Sequence, residues 1–384
     1  MDFTLTEAQL ELASRVRKFV QSHCSAEIGA RLDDGTADAR ELYRALGREG
    51  ILAVPLPREY GGLGGGLTEV AIVNEELARG NGTAVNLFCV NAVFAGLNIA
   101  QNGSEAQKNR WLPAIARGEA MAAFALTEPH AGSDAAKIRM SARRTAEGDF
   151  VLDGTKMFTT GAAQADVIIA VLRTRPDGPA KEGTSVILVP AGTPGVEIRP
   201  LPKLAGNAYS SCEVRFDGTR VPADQVLGGP DAVDTGWMQL LSGVDLERLC
   251  VAASSLGLAE AVYEVSANYA RTREAFGQPI AKFQAIQHLL VDMATEIEAM
   301  RWLVFHAAWL RDRGEISFRE VCMAKLFCSE RAVEIASRGM KVFGGYAYLG
   351  EYPVQRMLRE SFLSIYAGGT SEIMKNTIGR LLGL

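Results

Sequence analysis

The sequence has little with which to build a metal centre or a disulfide framework. Its four histidines, His23, His130, His288 and His306, form no H-E-x-x-H pair. Its six cysteines, Cys24, Cys89, Cys212, Cys250, Cys322 and Cys328, are scattered with no C-x-x-C, which reads as buried or surface thiols. No basic cluster is interleaved with aromatics and the formal charge is a mild −5, so no nucleic-acid partner is expected. Met1 leads straight into the polar–apolar pattern "DFTLTEAQLELASRVRKFV" rather than a signal peptide's apolar core. No apolar run is read as approaching the ~20 residues of a membrane span. A cytoplasmic protein with no membrane contact is the resulting expectation. Glycine is abundant, but the string "GGLGGG" at 61–66 lacks the G-x-G-x-x-G spacing, follows no strand and sits in helical texture. It reads as a flexible loop, which argues against a Rossmann-type nicotinamide site.

What is present is enough for large cores: 384 residues, 48% hydrophobic, with length for two or three domains. Residues 1–118 alternate helical patterns with polar or glycine-rich breaks, as in "SEAQKNRWLPAIARG", where Ser104 is a candidate N-cap. From 119 to 230 the texture changes to short strand-like runs, "MAAFAL", "DFVLDGTKMF", "DVIIAVL", "TSVILVP" and "CEVRF", divided by Gly, Pro and Asp turns. Over 231–384 long helices return. Ile286, Leu290, Met293, Ile297, Met300 and Val304 repeat at the spacing of a bundle seam. The expected arrangement is therefore an N-terminal helical domain, a middle β domain and a C-terminal helical bundle.

Three stretches carry chemistry. "FALTEPHAGSD" at 124–134 leaves a strand for a loop of hydroxyls and carboxylates, and "KMFTTGA" at 156–162 leaves another with an aromatic followed by hydroxyls. An aromatic plane beside hydroxyl donors suits a flat heteroaromatic ring, although each stretch alone also suits an ordinary turn or a core phenylalanine. In "RTREAFGQPIAKFQAIQHLLVDM" at 271–293, Arg273 can clamp a phosphate bidentately or cap a solvated helix end. A fourth stretch, "SIYAGGTSEIM" at 364–374, combines glycines that permit close backbone approach with a capped helix start, but has no acid or base before Thr370.

In order, "LTEPHAGSD", "KMFTTG", "REAFGQPIAKFQ", "VFGGYAYLGEYPVQRMLRES" and "GGTSEIMK" resemble the acyl-CoA dehydrogenase family over essentially the whole chain. The resemblance implies a middle β-barrel or sandwich and a C-terminal four-helix bundle, in a homotetramer with FAD held across a subunit interface, an acyl-CoA substrate and an electron-transferring flavoprotein as acceptor. It implies that Phe124, Leu126, Thr127 and Ser133 line the flavin, with Ser133 also facing the CoA chain. Phe158 stands where a tryptophan usually covers the isoalloxazine, and Thr160 is the donor at its N5 edge. Arg273, Phe276 and Gln284 would meet the pyrophosphate and adenosine half of a neighbour's FAD. Gly344, Gly345, Thr370 and Glu372 would close that end, with Gly369 on the substrate side.

Most of the family carries its catalytic glutamate two residues before the threonine, and here that place is Gly368. Removing the proton α to a thioester while hydride leaves the β carbon requires an acceptor for the proton. "SGVDLERLCVAASSLG" at 242–257 resembles the isovaleryl- and long-chain-type branches, whose glutamate lies on a bundle helix, which makes Glu247 the base. Asp245 and Arg248 match positions that contact the CoA or acyl portion. Gly368 keeps one task, an N–H that can polarise the thioester carbonyl.

Lys341 stands where a glutamine commonly contacts FAD, Asn207 replaces a frequent arginine, and His130 replaces a frequent Gly or Asp and reads as solvent-facing. Two rivals remain at this level: the same flavin chemistry on a carrier-protein thioester or run as an enoyl-CoA reduction, and a catalytically silent FAD-binding subunit. Met238 and Leu241 read equally as core or pocket floor.

Overall fold

The computed structural model describes residues 4–384, the side chain of Ser242 excepted. The first part is helical: α1 Glu7–His23, α2 Ala26–Asp34, α3 Ala39–Arg48, α4 Leu67–Gly80, α5 Gly82–Phe88, a π-helical stretch Cys89–Leu97, α6 Asn98–Asn102 and α7 Glu105–Ala116. Strands β1 Ala122–Ala125, β2 Ser141–Arg144, β3 Phe150–Thr160, β4 Val167–Arg173, β5 Thr184–Pro190, β6 Val196–Leu201 and β7 Ser211–Val221 follow. The chain then returns to helix: α8 Gly236–Thr272, a hairpin of β8 Glu274–Ala275 and β9 Gln278–Pro279, α9 Gln284–Asp312, α10 Phe318–Phe343, α11 Val354–Ser361, α12 Leu363–Tyr366 and α13 Ser371–Leu381. Ser104 caps α7 as expected, in a capping box with Gln107.

Two compact units result, and neither is a continuous block of chain. One comprises the segments up to Ala37, Gly66–Val85 and Glu247–Leu384; the other comprises Asp38–Gly65 and Asn86–Leu246. In the second unit the strands form one seven-stranded sheet in the order β1-β4-β2-β3-β7-β6, with β5 paired to β4. β4 is buried along its whole length, and its alternation explains why. Val167, Ile169 and Val171 pack under Trp111, Leu112 and Ile115 of α7, while Ile168, Ala170 and Leu172 meet Phe150, Leu152 and Val214 in a core curled within the sheet.

The glycine string at 61–66 is not a loose loop. Gly62 N–H donates to Pro57 O at 3.0 Å, Leu63 N–H to Ala53 O at 2.8 Å and Gly65 N–H to Val54 O at 2.8 Å. A Cβ on Gly62 would sit 1.9 Å from Leu56 O, so the glycine is there for backbone approach.

The first unit is a helical assembly. Met293, Ile297, Met300 and Val304 of the expected seam lie in its core, Leu290 packs against it, and Ile286 is half-buried at the rim. Beside that core runs an ionic network. Arg301 bridges Glu75, at 2.7 Å, and Glu260; Arg79 binds Glu260 at 2.6 Å and also Glu264; and Arg17 binds Glu76. Gly82–Asn102 and α8 are, against expectation, long and apolar enough to cross a membrane by length and composition; 78% and 72% of their most apolar stretches are buried inside the protein.

Candidate active site

In the sheet-containing unit, the two loops expected to line a ring are fastened side by side by a buried ion pair. Lys156, fully buried in β3, donates from Nζ to Leu126 O at 2.9 Å and to Glu128 Oε1 at 2.8 Å. Glu128 in turn accepts the N–H groups of Arg139, at 2.7 Å, and Met140, at 3.0 Å. Met157 N–H donates to Thr127 O at 2.8 Å, closing the contact between the stretches. Burial pulls the Lys156 ammonium down to about 8, against the opposing pull of Glu128. Neither residue was singled out in the sequence; a lysine inside an otherwise strand-like run was the available signal. Phe124, Leu126, Thr127 and Thr160 are half-buried along these loops and Ser133 is exposed.

The register of β3 against β7 shifts between Lys156 and Thr159. That irregularity turns Phe158 outward, 64% exposed and at φ +56°. Of the departures, His130 Nε2 lies 3.2 Å from Lys137 O and 3.5 Å from Glu128 Oε2, so it braces the same loop rather than merely facing solvent. Asn207 accepts Lys203 N–H at 2.9 Å. Met238 and Leu241 are 68% and 46% exposed, so neither is core.

The helical unit holds the other predicted residues in two groups. A cavity of about 390 Å³ is lined by Tyr269, Arg273, Ile280, Phe343, Gly344, Gly345 and Tyr346. The Arg273 guanidinium lies over the Tyr346 ring at 5.2 Å, and a Cβ on Gly344 or Gly345 would project into open space. The Phe-Gly break is the two-residue turn of the β8–β9 hairpin, with Phe276 at φ +52° and Gly277 at +81°. Phe276 is 96% exposed. Gln284, Lys341 and Glu372 are exposed on the first turn of α9, the last turn of α10 and the first turn of α13.

Among the described residues, three non-glycines have positive φ, and two of them are Phe158 and Phe276. Phe276 takes its positive φ from the hairpin turn, and its ring meets Phe283 edge-on at 6.0 Å; Phe158 has no such turn, and a bulky aromatic held there in left-handed backbone with its ring in the open is expected where a ligand covers the ring. Within the helical unit, the open glycines and Arg273 over Tyr346 give the cavity room and positive charge that fit a pyrophosphate; in the sheet-containing unit, exposed Phe158 beside Thr160 fits a flat ring.

The second group contains the carboxylate. Glu247 and Arg248 sit on α8, and the turn before α13 brings Gly368 to them: a Cβ on Gly368 would lie 3.6 Å from Glu247 Cγ and 3.7 Å from Arg248 Cγ. Arg248 Nε donates to Gly368 O at 3.2 Å and Nη1 to Cys322 Sγ at 3.4 Å. Thr370 caps α13 by accepting Ile373 N–H at 3.3 Å. Gly368 and Gly369 adopt φ +66° and +95°, which suits glycine. Glu247 keeps part of its surface accessible, yet its carboxyl is raised above the usual range. Burial raises it, opposed by the charges of Arg248 and Lys325 and by the Gly368 N–H. That N–H, assigned from sequence to a thioester carbonyl, is thus directed at the base. Asp245 is half-buried two residues before Glu247 on the same helix.

Known proteins resemble this one along the whole chain. Family models described as the acyl-CoA dehydrogenase N-terminal, middle and C-terminal domains match residues 6–119, 123–219 and 234–383. A probable acyl-CoA dehydrogenase of Bacillus subtilis is 35% identical over 100% of both chains. The mitochondrial isovaleryl-CoA dehydrogenase of Pongo abelii is 34% identical over 98% of this chain and 89% of its own. The solved butyryl-CoA dehydrogenase of Megasphaera elsdenii superposes with a TM-score of 0.94 at 31% identity, covering 100% of both chains. With all three of the family's domains matched in order and its fold reproduced end to end, the chain belongs to the acyl-CoA dehydrogenase family.

Proposed function

We propose that this protein oxidises an acyl-CoA between its α and β carbons, with FAD as its cofactor and Glu247 as the base that removes the α proton. The observation that carries the reading is the meeting of Glu247 with Gly368. The Glu247 side chain on α8 lies, at its Cγ, within van der Waals reach of the place from which most of the family projects its own glutamate. Burial raises the carboxyl and so strengthens it as a base, while Arg248 and Lys325 oppose that rise and favour its ionised form. The Gly368 N–H, released from the carboxylate, is free to polarise a thioester carbonyl and acidify the α proton. FAD, when bound, supplies the acceptor for the β hydride. The Lys156–Glu128 pair keeps the two ring-lining loops in register, and Arg273 offers charge to the pyrophosphate.

The resemblance further supports a homotetramer that passes its electrons to an electron-transferring flavoprotein. Anaerobic titration of the purified protein with short, branched, long and aromatic acyl-CoAs tests the reading. Bleaching of the flavin absorbance by at least one of them is expected. A flavin that no acyl-CoA bleaches, or a protein that takes up no FAD on reconstitution, overturns it. Running the same titration with loaded carrier protein separates the two acyl carriers.

A further inference from the structure

Lys325 lies on α10 at a position buried to 0% exposure. An ammonium there costs several kcal/mol of desolvation unless something repays it, and a methionine of similar length would avoid the cost. Its hydrogen bond goes from Nζ to Gly369 O at 2.6 Å. The preceding carbonyl, Gly368 O, is the one held by Arg248 Nε at 3.2 Å. Two cations from two helices therefore grip consecutive carbonyls of the turn whose N–H points at Glu247.

We propose that Lys325 is a positioning residue for proton abstraction: it fixes the Gly368–Gly369 turn against Glu247 and keeps the base ionised. This rests on the reading of Glu247 as the base. The charged groups that face Lys325 are Arg248 and Glu247 on α8, Glu330 on its own helix and Glu372 on α13. Arg248 and Lys325 are the two cations acting on Glu247, and both pull its carboxyl down. Burial and the neighbouring Arg248 in turn lower Lys325 to about 8, while Glu247, Glu330 and Glu372 favour its charged form.

The test separates proton removal from the rest of the reaction. The 3-thia analogue of the best acyl-CoA has α protons but no β hydrogen, so the holoenzyme can exchange its α protons into D₂O with no hydride leaving. Exchange is followed by mass spectrometry against pH, with FAD content and melting temperature as folding controls. The wild-type rate should rise with pH and level off once Glu247 is ionised. In Lys325→Met the midpoint of that rise should move up by on the order of one pH unit, while Lys325→Arg should restore it towards the wild-type position. An unmoved midpoint in Lys325→Met overturns the proposal, even with a uniform loss of rate, because that is what a purely structural lysine gives. If Lys325→Met does not fold, Lys325→Gln, which keeps a donor without the charge, is read the same way. Glu247→Gln is the companion variant. Its exchange should disappear, and wild-type exchange there would overturn the base assignment itself.

Discussion

Substituting Glu247 and Gly368 together tests the reading at its most exposed point. Glu247→Gln removes the proton acceptor with almost no change of shape, so flavin reduction by the best acyl-CoA should slow by about 10²–10⁴-fold, equivalent to about 3–5 kcal/mol of barrier. Adding Gly368→Glu should return part of it, and the structure says how freely. The new Cβ would have Glu247 Cγ at 3.6 Å and Arg248 Cγ and Val251 Cγ2 at 3.7 Å, which is ordinary contact, so there is room. The cost is backbone: at φ +66° a side chain brings about 1–2 kcal/mol of strain, felt as stability rather than as a blocked site. Charge also favours the double variant. Glu247→Gln takes away the carboxylate on which Arg248 and Lys325 both act, and the new glutamate restores one. In the wild-type background the same Gly368→Glu would crowd a second carboxylate against Glu247, raise one of the pair and slow the reaction. One substitution should therefore help in one background and harm in the other. Stopped-flow absorbance of the flavin under anaerobic conditions reads all four proteins. Near wild-type reduction in Glu247→Gln refutes the base assignment. Equal harm from Gly368→Glu in both backgrounds shows that the two positions do not share a locus.

The remaining expectations concern binding and stability. Phe158→Gly should relieve the strain of φ +56° and raise the melting temperature of the FAD-free protein, while weakening FAD binding in a fluorescence titration; a stabilised variant with unchanged affinity would mean that the ring does not cover the flavin. Lys156→Met strands Glu128 in the interior and should cost about 3–5 kcal/mol in denaturant unfolding, with Glu128→Gln added to it recovering part of the loss. Glu75 is pushed up to about 7 from 4.5, by burial first and then by Glu260, so its contribution is fully present below about 4.5 and is lost as pH rises through 7. The melting temperature of wild type relative to Glu75→Gln should accordingly fall across that window, and a difference independent of pH would contradict the raised carboxyl.

How far the fold could be read from sequence depends on what each segment buries. β4 and β5 announce themselves as unbroken apolar runs because they are covered almost throughout. β2, "SARR", and β6, "VEIRPL", were missed because they alternate weakly and expose charged side chains. The division into three linear blocks could not show that α1 and α4 join the later bundle while α3, α6 and α7 go with the sheet. That partition is set by contacts between distant segments, such as Arg17 with Glu76 and Arg301 with Glu75, which no local pattern encodes. That "GGLGGG" is a loop was legible, but its fastening was not: a glycine kept for backbone approach looks, in sequence, like one kept for freedom.

The site was legible where chemistry breaks a family's habit and hidden where it breaks only a pattern. The pairing of an absent carboxylate at Gly368 with a present one at Glu247 is visible because the motif around each survives. Lys325 belongs to no such motif, yet its position carried a signal. Val321, Ala324, Cys328, Ala332, Ile335 and Ala336 make one buried stripe of α10, and Lys325 lies within it. A lysine at a stripe position must pay for desolvation, as must Lys156 in its strand. Each of the two grips a backbone carbonyl and faces carboxylate, Lys156 that of Glu128 and Lys325 those of Glu247, Glu330 and Glu372. At Glu128 the carboxylate is consumed by Lys156 and two backbone N–H groups, so that pair can only hold structure. At Glu247 the residue keeps part of its surface accessible and its carboxylate is held by charge and one N–H rather than by a full set of partners, which is what a base needs if it is to stay ionised and still accept a proton.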